Sequence, residues 1–497
     1  MKRKICLLLA MLMLLSTMAI FASCDKSQGD GASTTVTTVP QGGDNGEEKV
    51  DLFIDVPTGN YEGYTFHFLN DISDYAITTI VPESTTDTVD AAMFARNSFV
   101  KEKLSIDITE TRQGWNEVKS TMQSLTSSND FEYDAVYNEL SYQTPLAQNG
   151  TYLQVGDYDK YLNLKKPWWF TDAMESIAID GENYELFSDI QLMYYESINA
   201  LVFNQQDLID NKQAFPYDLV RAGNWTLAEM EKIMKATAIK PGEEHYAMCA
   251  QRDMISAFIA GSDFVFVEQD EDDVLKIFED EDRFVDVYNA IKDIFFISNG
   301  PDKMNHIMPD YASAAYKSGT YWEEIRSEGW NKKYLDGKAT FMSSAMGGIR
   351  TSRSVEFQYG ILPIPKYDTD QDKYVSWIYQ GAAALCIPTT NPNLEQTCVI
   401  LENLAAYSYK MVKHEYYDVV VQGRTVRDSD SIEMLDIIFG LTDLGTTRFE
   451  IDVVYNLGLL AEAKKSISDT VTEILVNIDG VKGNVEGKIE AVVEGYK

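Results

Sequence analysis

Polar and apolar positions change period several times along the chain, and each change marks an element. Residues 64–69 (YTFHFL) are short, aromatic and alternating, as in a strand. Residues 88–104 carry Val89, Met93 and Val100 among apolar positions at helical spacing. Residues 105–109 (SIDIT) alternate again, and 134–138 (DAVYN) read as a third strand. Between these two strands Asn116 is placed to cap a helix bearing Val118, Met122 and Leu125. Strand, helix, strand, helix, strand predicts a parallel sheet flanked by helices, an α/β fold. Ligands of such sheets sit outside the carboxyl ends of the strands. The loops at 70–74, 114–116 and 138–142 are therefore the first places to look for function.

Farther along, the pattern holds more helix. Thr226 and Glu229 form a capping box, with Trp225 and Met230 as its hydrophobic staple, which makes Trp225 structural. Residues 428–440 predict a helix with Ile432, Leu435 and Phe439 on one face. Gly445, Gly458, Gly480 and Gly483 are expected to divide the C-terminal region into short helices. Cys386 lies in the apolar run 382–387 and reads as a buried thiol; a bridge to Cys398 stays open. No repeat of fixed period is present.

The first residues follow a different rule. Lys2, Arg3 and Lys4 precede a nearly continuous apolar stretch over 5–22, short for a membrane span of about 20 residues. This predicts a secretory signal over 1–23. The Phe-Ala-Ser-Cys ending at Cys24 resembles the lipobox of bacterial lipoproteins, which implies diacylation of Cys24. Residues 25–49 are rich in Gly, Ser, Thr and Asp and predict a flexible stalk, so 24–60 is expected to link lipid to a globular body. The expected location is the extracytoplasmic face of a cell membrane.

Composition narrows the function. With 78 Asp+Glu against 42 Lys+Arg the net charge is −36, which excludes a nucleic-acid binder. A chain that is 45% hydrophobic and 12% aromatic is no acidic disordered tail, and five cysteines are too sparse for a disulfide scaffold. The acidic runs 268–273 and 279–282 read as solvated faces. Asp368, Asp370 and Asp372 begin like a calcium loop, but Lys373 and Tyr379 stand where its Gly and Glu belong. The four histidines lack metal-ligand spacing, and neither GxSxG nor GxGxxG occurs. No cofactor, metal or catalytic residue is expected. With so many carboxylates a chance pair at glycosidase spacing is uninformative, and a hydrolase stays the enzyme alternative.

One stretch carries a resemblance. Gly337-Lys338-Ala339-Thr340-Phe341 is followed by residues 359–366 (YGILPIPK), the strand 382–388 (AAALCIP), 389–394 (TTNPNL) and a helix near Leu401 and Leu404. With Tyr133-Asp134-Ala135-Val136, Gly150-Thr151-Tyr152-Leu153, residues 180–184 and 201–204, and Gly223-Asn224-Trp225-Thr226 in the same order, the chain resembles family 1 of the extracellular solute-binding proteins, the carbohydrate-type receptors of ABC importers. The likeness runs from about residue 61 to 409. It implies a two-lobed periplasmic-binding-protein-like fold of type II, its lobes joined by crossing strands. Lobe one would hold 61–190 with a return segment near 374–412. Lobe two would hold 191–366 with the C-terminal helices of 413–497.

The resemblance further implies a monomer that binds an oligosaccharide or related small solute between its lobes and delivers it to an ABC permease. It places Asn70 after the first strand, Trp115 before a helix, and Asn138, Ser141 and Tyr142 after the third strand. It also places Tyr195 and Glu196 at the first crossing, Ser343 and Ser344 in the loop after Phe341, and Trp377 and Tyr379 on the return. Residues 342–348 lack the aromatic that some sugar-binding relatives carry there, which weakens the case for maltose-like linear sugars. The Trp168-Trp169 pair after Pro167 reads as a lobe anchor in preference to a cleft platform. A receptor for peptide or another polar solute stays open. A polyanionic glycan would need a local basic patch such as Arg350 with Arg353.

Overall fold

Three strands and two helices open the body, as the alternation predicts: β1 (Tyr64–Asp71), α1 (Thr88–Leu104), β2 (Ile106–Gln113), α2 (Trp115–Ser128) and β3 (Ala135–Glu139). They belong to a computed structural model that describes residues 52–495, apart from 74–75, 180, 239–241, 271–273, 297, 300–301, 304, 309–329, 352–354, 418–420, 422–425, 462 and 465–473. The expected leader, Cys24, most of the stalk and Arg353 lie outside the described residues. Residues Asp55–Lys497 form a compact unit of their own.

β1 pairs in parallel with β2 on one side and β3 on the other, Tyr64 facing Ile106 and Leu69 facing Val136. Asp87 caps α1, its carboxylate accepting from the Val89 N–H at 2.9 Å. The cap of α2 is Gly114 and not Asn116. Glu117 reaches back to accept from the Gly114 N–H at 3.1 Å, so a carboxylate in the first turn does the work expected of the Asn amide. Helix α3 (Leu140–Ala147) starts directly where β3 ends.

The second sheet takes β4 (Asn199–Asn204), β5 (Tyr246–Gln251), β6 (Asn305–Met308), β7 (Ala339–Ala345) and β8 (Tyr359–Leu362), in the order β6-β5-β7-β4-β8. β6, β5 and β7 are parallel, while β4 runs against both β7 and β8. Around it lie α4 (Leu227–Thr237), α5 (Ile255–Gly261), α6 (Glu281–Phe295) and α7 (Met346–Thr351). Thr226 caps α4, and Trp225 is fully buried with its indole N–H on the Pro363 carbonyl at 3.0 Å, the structural role expected of it.

The chain then returns. β9 (Tyr374–Trp377) leads to β10 (Ala383–Cys386), which joins the first sheet antiparallel to β3 and completes the order β10-β3-β1-β2. Helices α8 (Leu394–His414) and α9 (Ser429–Ile438) follow, then β11 (Gly445–Arg448), α10 (Ile451–Val454) and α11 (Ile474–Gly495). β9 pairs in parallel with β11, and Ile198 forms an antiparallel bridge with Ile378. Three chain segments therefore lie side by side where the sheets join.

One expectation about the C-terminal region is corrected, and the open question of the cysteines is answered. Gly480 and Gly483 do not break the C-terminal region: both lie inside the 22-residue helix α11. A glycine inside a helix costs about 1 kcal/mol against alanine, and the burial of Val485 and Val492 offsets it. Cys386 and Cys398 are both buried free thiols, so the possible bridge is not formed. Asp368 accepts from the N–H groups of Asp370 at 3.0 Å and Gln371 at 3.2 Å, the geometry of a local turn. Among the described residues no helix is long and apolar enough to cross a membrane.

The Trp168-Trp169 pair is an anchor. Both indoles are buried and donate to the two oxygens of Glu402 on α8, at 3.0 and 2.7 Å. Burial outweighs these donors and pushes the Glu402 carboxyl up to about 8. Burial likewise raises Glu185 to about 7 and Asp189 to about 6. These values exceed those of the unfolded chain, so the folded state holds more protons through that range. The stability they contribute is complete below the ordinary carboxylate range and is lost as pH rises through about 6 to 8. Thermal unfolding is expected at a higher Tm near about pH 5 than near about pH 8, with Glu402→Gln flattening the dependence.

Candidate ligand cleft

Strand ends from both sheets meet beside the crossing. β3 ends at Glu139 and hands over to α3; β5 ends at Gln251 and hands over to a short turn and α5. Ser141, Thr144 and Gln148 from the first element face Asp253 and Ser256 from the second across a cavity of about 530 Å3. The returning segment supplies the third side through Trp377, Tyr379 and Gln380, and residues 452–461 with Lys464 close the fourth. The Tyr379 ring meets Trp377 edge-on, with centroids 5.7 Å apart. That volume and mixed lining suit a small polar ligand with an apolar face.

Three expected residues, Ser141, Trp377 and Tyr379, line this one cavity. Trp115 begins α2 with its side chain 39% exposed, and its carbonyl accepts from Asn138 Nδ2 at 3.1 Å. The Lys119 ammonium lies 5.7 Å over the Tyr142 ring. The other expected residues are held by protein partners or by strands. Asn70 and Asn138 belong to β1 and β3 and not to the loops after them, and both are fully buried. Ser343 and Ser344 are likewise within β7, which runs on to Ala345 because it pairs with β4 as far as Asn199. Tyr195 donates to Asp189 at 2.8 Å and stacks on Tyr416, centroids 5.7 Å apart.

Glu196 is wholly buried at the first crossing. Arg350 Nε approaches both its oxygens, at 2.8 and 3.1 Å, and the Tyr416 hydroxyl donates at 2.8 Å. Burial still raises its carboxyl, against the pull of Arg350. The pair ties the crossing to α7.

Sequence reasoning missed Asp253, Ser256, Gln380 and the wall at 452–461. The strand-end rule would have found Asp253 and Ser256 once β5 was recognised as a strand of the second sheet. No local signal marks 452–461, whose shape comes from Asp452 accepting the N–H groups of Leu459 at 2.9 Å and Leu460 at 2.8 Å. Lys464 in turn forms an ion pair with Asp253 and joins this wall to the second sheet.

Several buried polar atoms of the described residues have no hydrogen-bond partner. They include Asp71 Oδ2, Asn138 Oδ1, Gln191 Oε1, Asn199 Oδ1, Ser343 Oγ and Gln380 Oε1. Native interiors leave few such atoms, and each calls for an explanation such as strain, a functional role or a bound water or ion.

No family model and no curated protein matches the sequence significantly. Solved structures do match. UgpB from Mycobacterium tuberculosis, in complex with glycerophosphocholine, superposes with a TM-score of 0.54 at 13% identity, over 86% of this chain and 98% of that one. The sugar-binding protein MalE from Xanthomonas citri gives 0.54 at 14% identity, over 87% and 97%. An ABC substrate-binding protein from Listeria monocytogenes in complex with cycloalternan gives 0.53 at 11% identity, over 86% and 98%. The fold is that of the two-lobed ABC substrate-binding proteins. β9 and β11 pair beside the Ile198–Ile378 bridge that leads into β4, and the cavity lies beside this junction of the two sheets.

Removing Arg350 would leave Glu196 as an uncompensated buried charge. Arg350→Ala is expected to destabilise the chain by about 3–5 kcal/mol in denaturant unfolding, and adding Glu196→Gln to restore part of the loss.

Proposed function

We propose that this protein is a lipid-anchored, extracytoplasmic solute-binding protein of an ABC importer. It takes a sugar or oligosaccharide into the interlobe cleft and presents it, as a monomer, to a membrane permease. The observation that carries this reading is the cavity at the strand ends of both sheets, where aromatic rings and hydroxyl and amide groups converge beside the crossing. A sugar offers apolar C–H faces and hydroxyls; Trp377 and Tyr379 suit the first, Ser141, Ser256 and Gln380 the second. The cycloalternan bound by the Listeria structure and the description of the Xanthomonas one as a sugar-binding protein agree with this class.

Lobe one would comprise 61–190 and 374–412, lobe two 191–366 and 413–497. Closing them satisfies ligand groups from both sides at once, so the ligand selects the closed form. Asp71 and Glu139 end neighbouring strands of one sheet, and Asp452 is held by its own loop. Asp253, the other carboxylate lining the cavity, is ion-paired with Lys464, so among the described residues both lining carboxylates already have protein partners, which favours the receptor over a glycosidase.

Thermal unfolding of residues 50–497 against mono- and oligosaccharides, with peptides as controls, tests the proposal. A true ligand at about 100 times its Kd adds about 2.7 kcal/mol of stability and leaves the sugar intact. Tyr379→Ala is expected to weaken that ligand about tenfold by calorimetry. A shift with peptides alone, or breakdown of the sugar, would overturn the assignment.

A further inference from the structure

We propose that the ends of β1 and β3, next to the cavity lined by Ser141 and Gln380, receive a cationic nitrogen of the solute, so that the cargo is an amine-bearing sugar or polyol with Asp71 and Glu139 as its counter-charges. This deepens the solute-binding reading above and rests on it. Gln191 shows the logic. Its Nε2 donates to Asn70 Oδ1 at 2.8 Å and to Asp71 Oδ1 at 3.3 Å. With the nitrogen so engaged, Oε1 is the end left over, and no donor reaches it. Asp71 Oδ2, on the partner group, lacks a donor as well, in a fully buried residue. Asn138 repeats the pattern, its Nδ2 engaged by the Trp115 carbonyl and its Oδ1 unpaired.

Glu139 ends the neighbouring strand. β1 and β3 run in parallel with Leu69 opposite Val136, which brings Asp71 and Glu139 to the same end of the sheet. Among the described residues Glu139 has neither a cationic nor a hydrogen-bonding side-chain partner. Burial, then the Asp71 charge, pushes its carboxyl up to about 8. Arg112, the cation felt by Asp71, donates to Thr78 Oγ1 at 2.6 Å and lies 3.5 Å from Glu110. Two residues beyond Glu139, Ser141 already lines the cavity, as does Gln380, whose Oε1 is a further unpaired acceptor.

The unpaired amide and carboxylate atoms here are all acceptors. A hydroxyl brings one donor together with acceptors of its own, whereas an ammonium brings three donors, no acceptor and a positive charge. Burial raises the Asp71 carboxyl to about 7 and the Glu139 carboxyl to about 8, so both are held partly protonated near neutral pH until a cation beside them favours the ionised forms.

Calorimetry on residues 50–497 decides the matter with matched pairs: glucosamine against glucose, and the chitosan disaccharide against cellobiose, at a pH where the amine is protonated. The amine member of a pair is expected to bind at least about tenfold tighter. Glu139→Gln and Asp71→Asn should each remove most of that preference while changing the neutral partner's affinity by less than roughly threefold. Circular dichroism confirms folding of each variant, and the half-buried Glu139→Gln keeps the test available if Asp71→Asn fails to fold. Equal or tighter binding of the neutral members, or a preference that survives Glu139→Gln, overturns the proposal and leaves the sugar-receptor reading standing. Absence of binding by every sugar, amine or neutral, overturns both.

Discussion

The two sheets are held together by backbone hydrogen bonds among three chain segments. Tyr379 N–H donates to Ser197 O at 3.0 Å, and Ile378 N–H donates to Arg448 O at 2.9 Å, so the returning segment sits between the other two. Asn199 Nδ2 adds a contact to the Trp377 carbonyl at 3.2 Å. Backbone ladders of this kind are indifferent to side-chain identity but demanding in register. The cavity depends on them, because Trp377, Tyr379 and Gln380 are residues of the same narrow ladder.

Around that ladder the protein buries many polar groups and ties most of them to one another. Arg96 is the largest case, fully buried on α1. It donates to the carbonyls of Ile80 and Ile190, to Ser408 Oγ and to Asn97 Oδ1, with distances of 2.8–2.9 Å. A single guanidinium thereby joins α1, the approach to the first crossing and α8. Glu402 does the same with two indoles, and Glu196 with Arg350 and Tyr416. Buried polar networks of this sort specify one arrangement, since a half-made network is costlier than an apolar one. Against that background the acceptors of Asp71, Asn138 and Gln191 are among the buried atoms of the described residues that no protein group satisfies.

Much of the first sheet was legible from local pattern. Helix α1 begins and ends where its apolar period says, because Asp87 caps it and Ser105 closes it in a left-handed turn. Trp225 could be assigned to packing since its staple partner Met230 lies five residues away. Strand ends were harder. Asn70, Asn138, Ser343 and Ser344 look like loop residues by type, yet each is drawn into a strand by its pairing partner. The glycines of α11 misled for the same reason: propensity is a weak local term, and packing overrides it.

By itself the sequence determined the alternation of strand and helix, the class of fold, and three residues, Ser141, Trp377 and Tyr379, that line the cavity. These are readable because hydrophobic period and capping act over a few neighbouring residues. Only the tertiary structure decided that residues 452–461 wall the cavity, that Lys464 meets Asp253, and that the Gln191 amide turns its nitrogen toward Asn70 and Asp71. Those outcomes join residues up to hundreds of positions apart. They follow from which strands pair and which amide nitrogen finds an acceptor, and neither leaves a periodic trace in the chain.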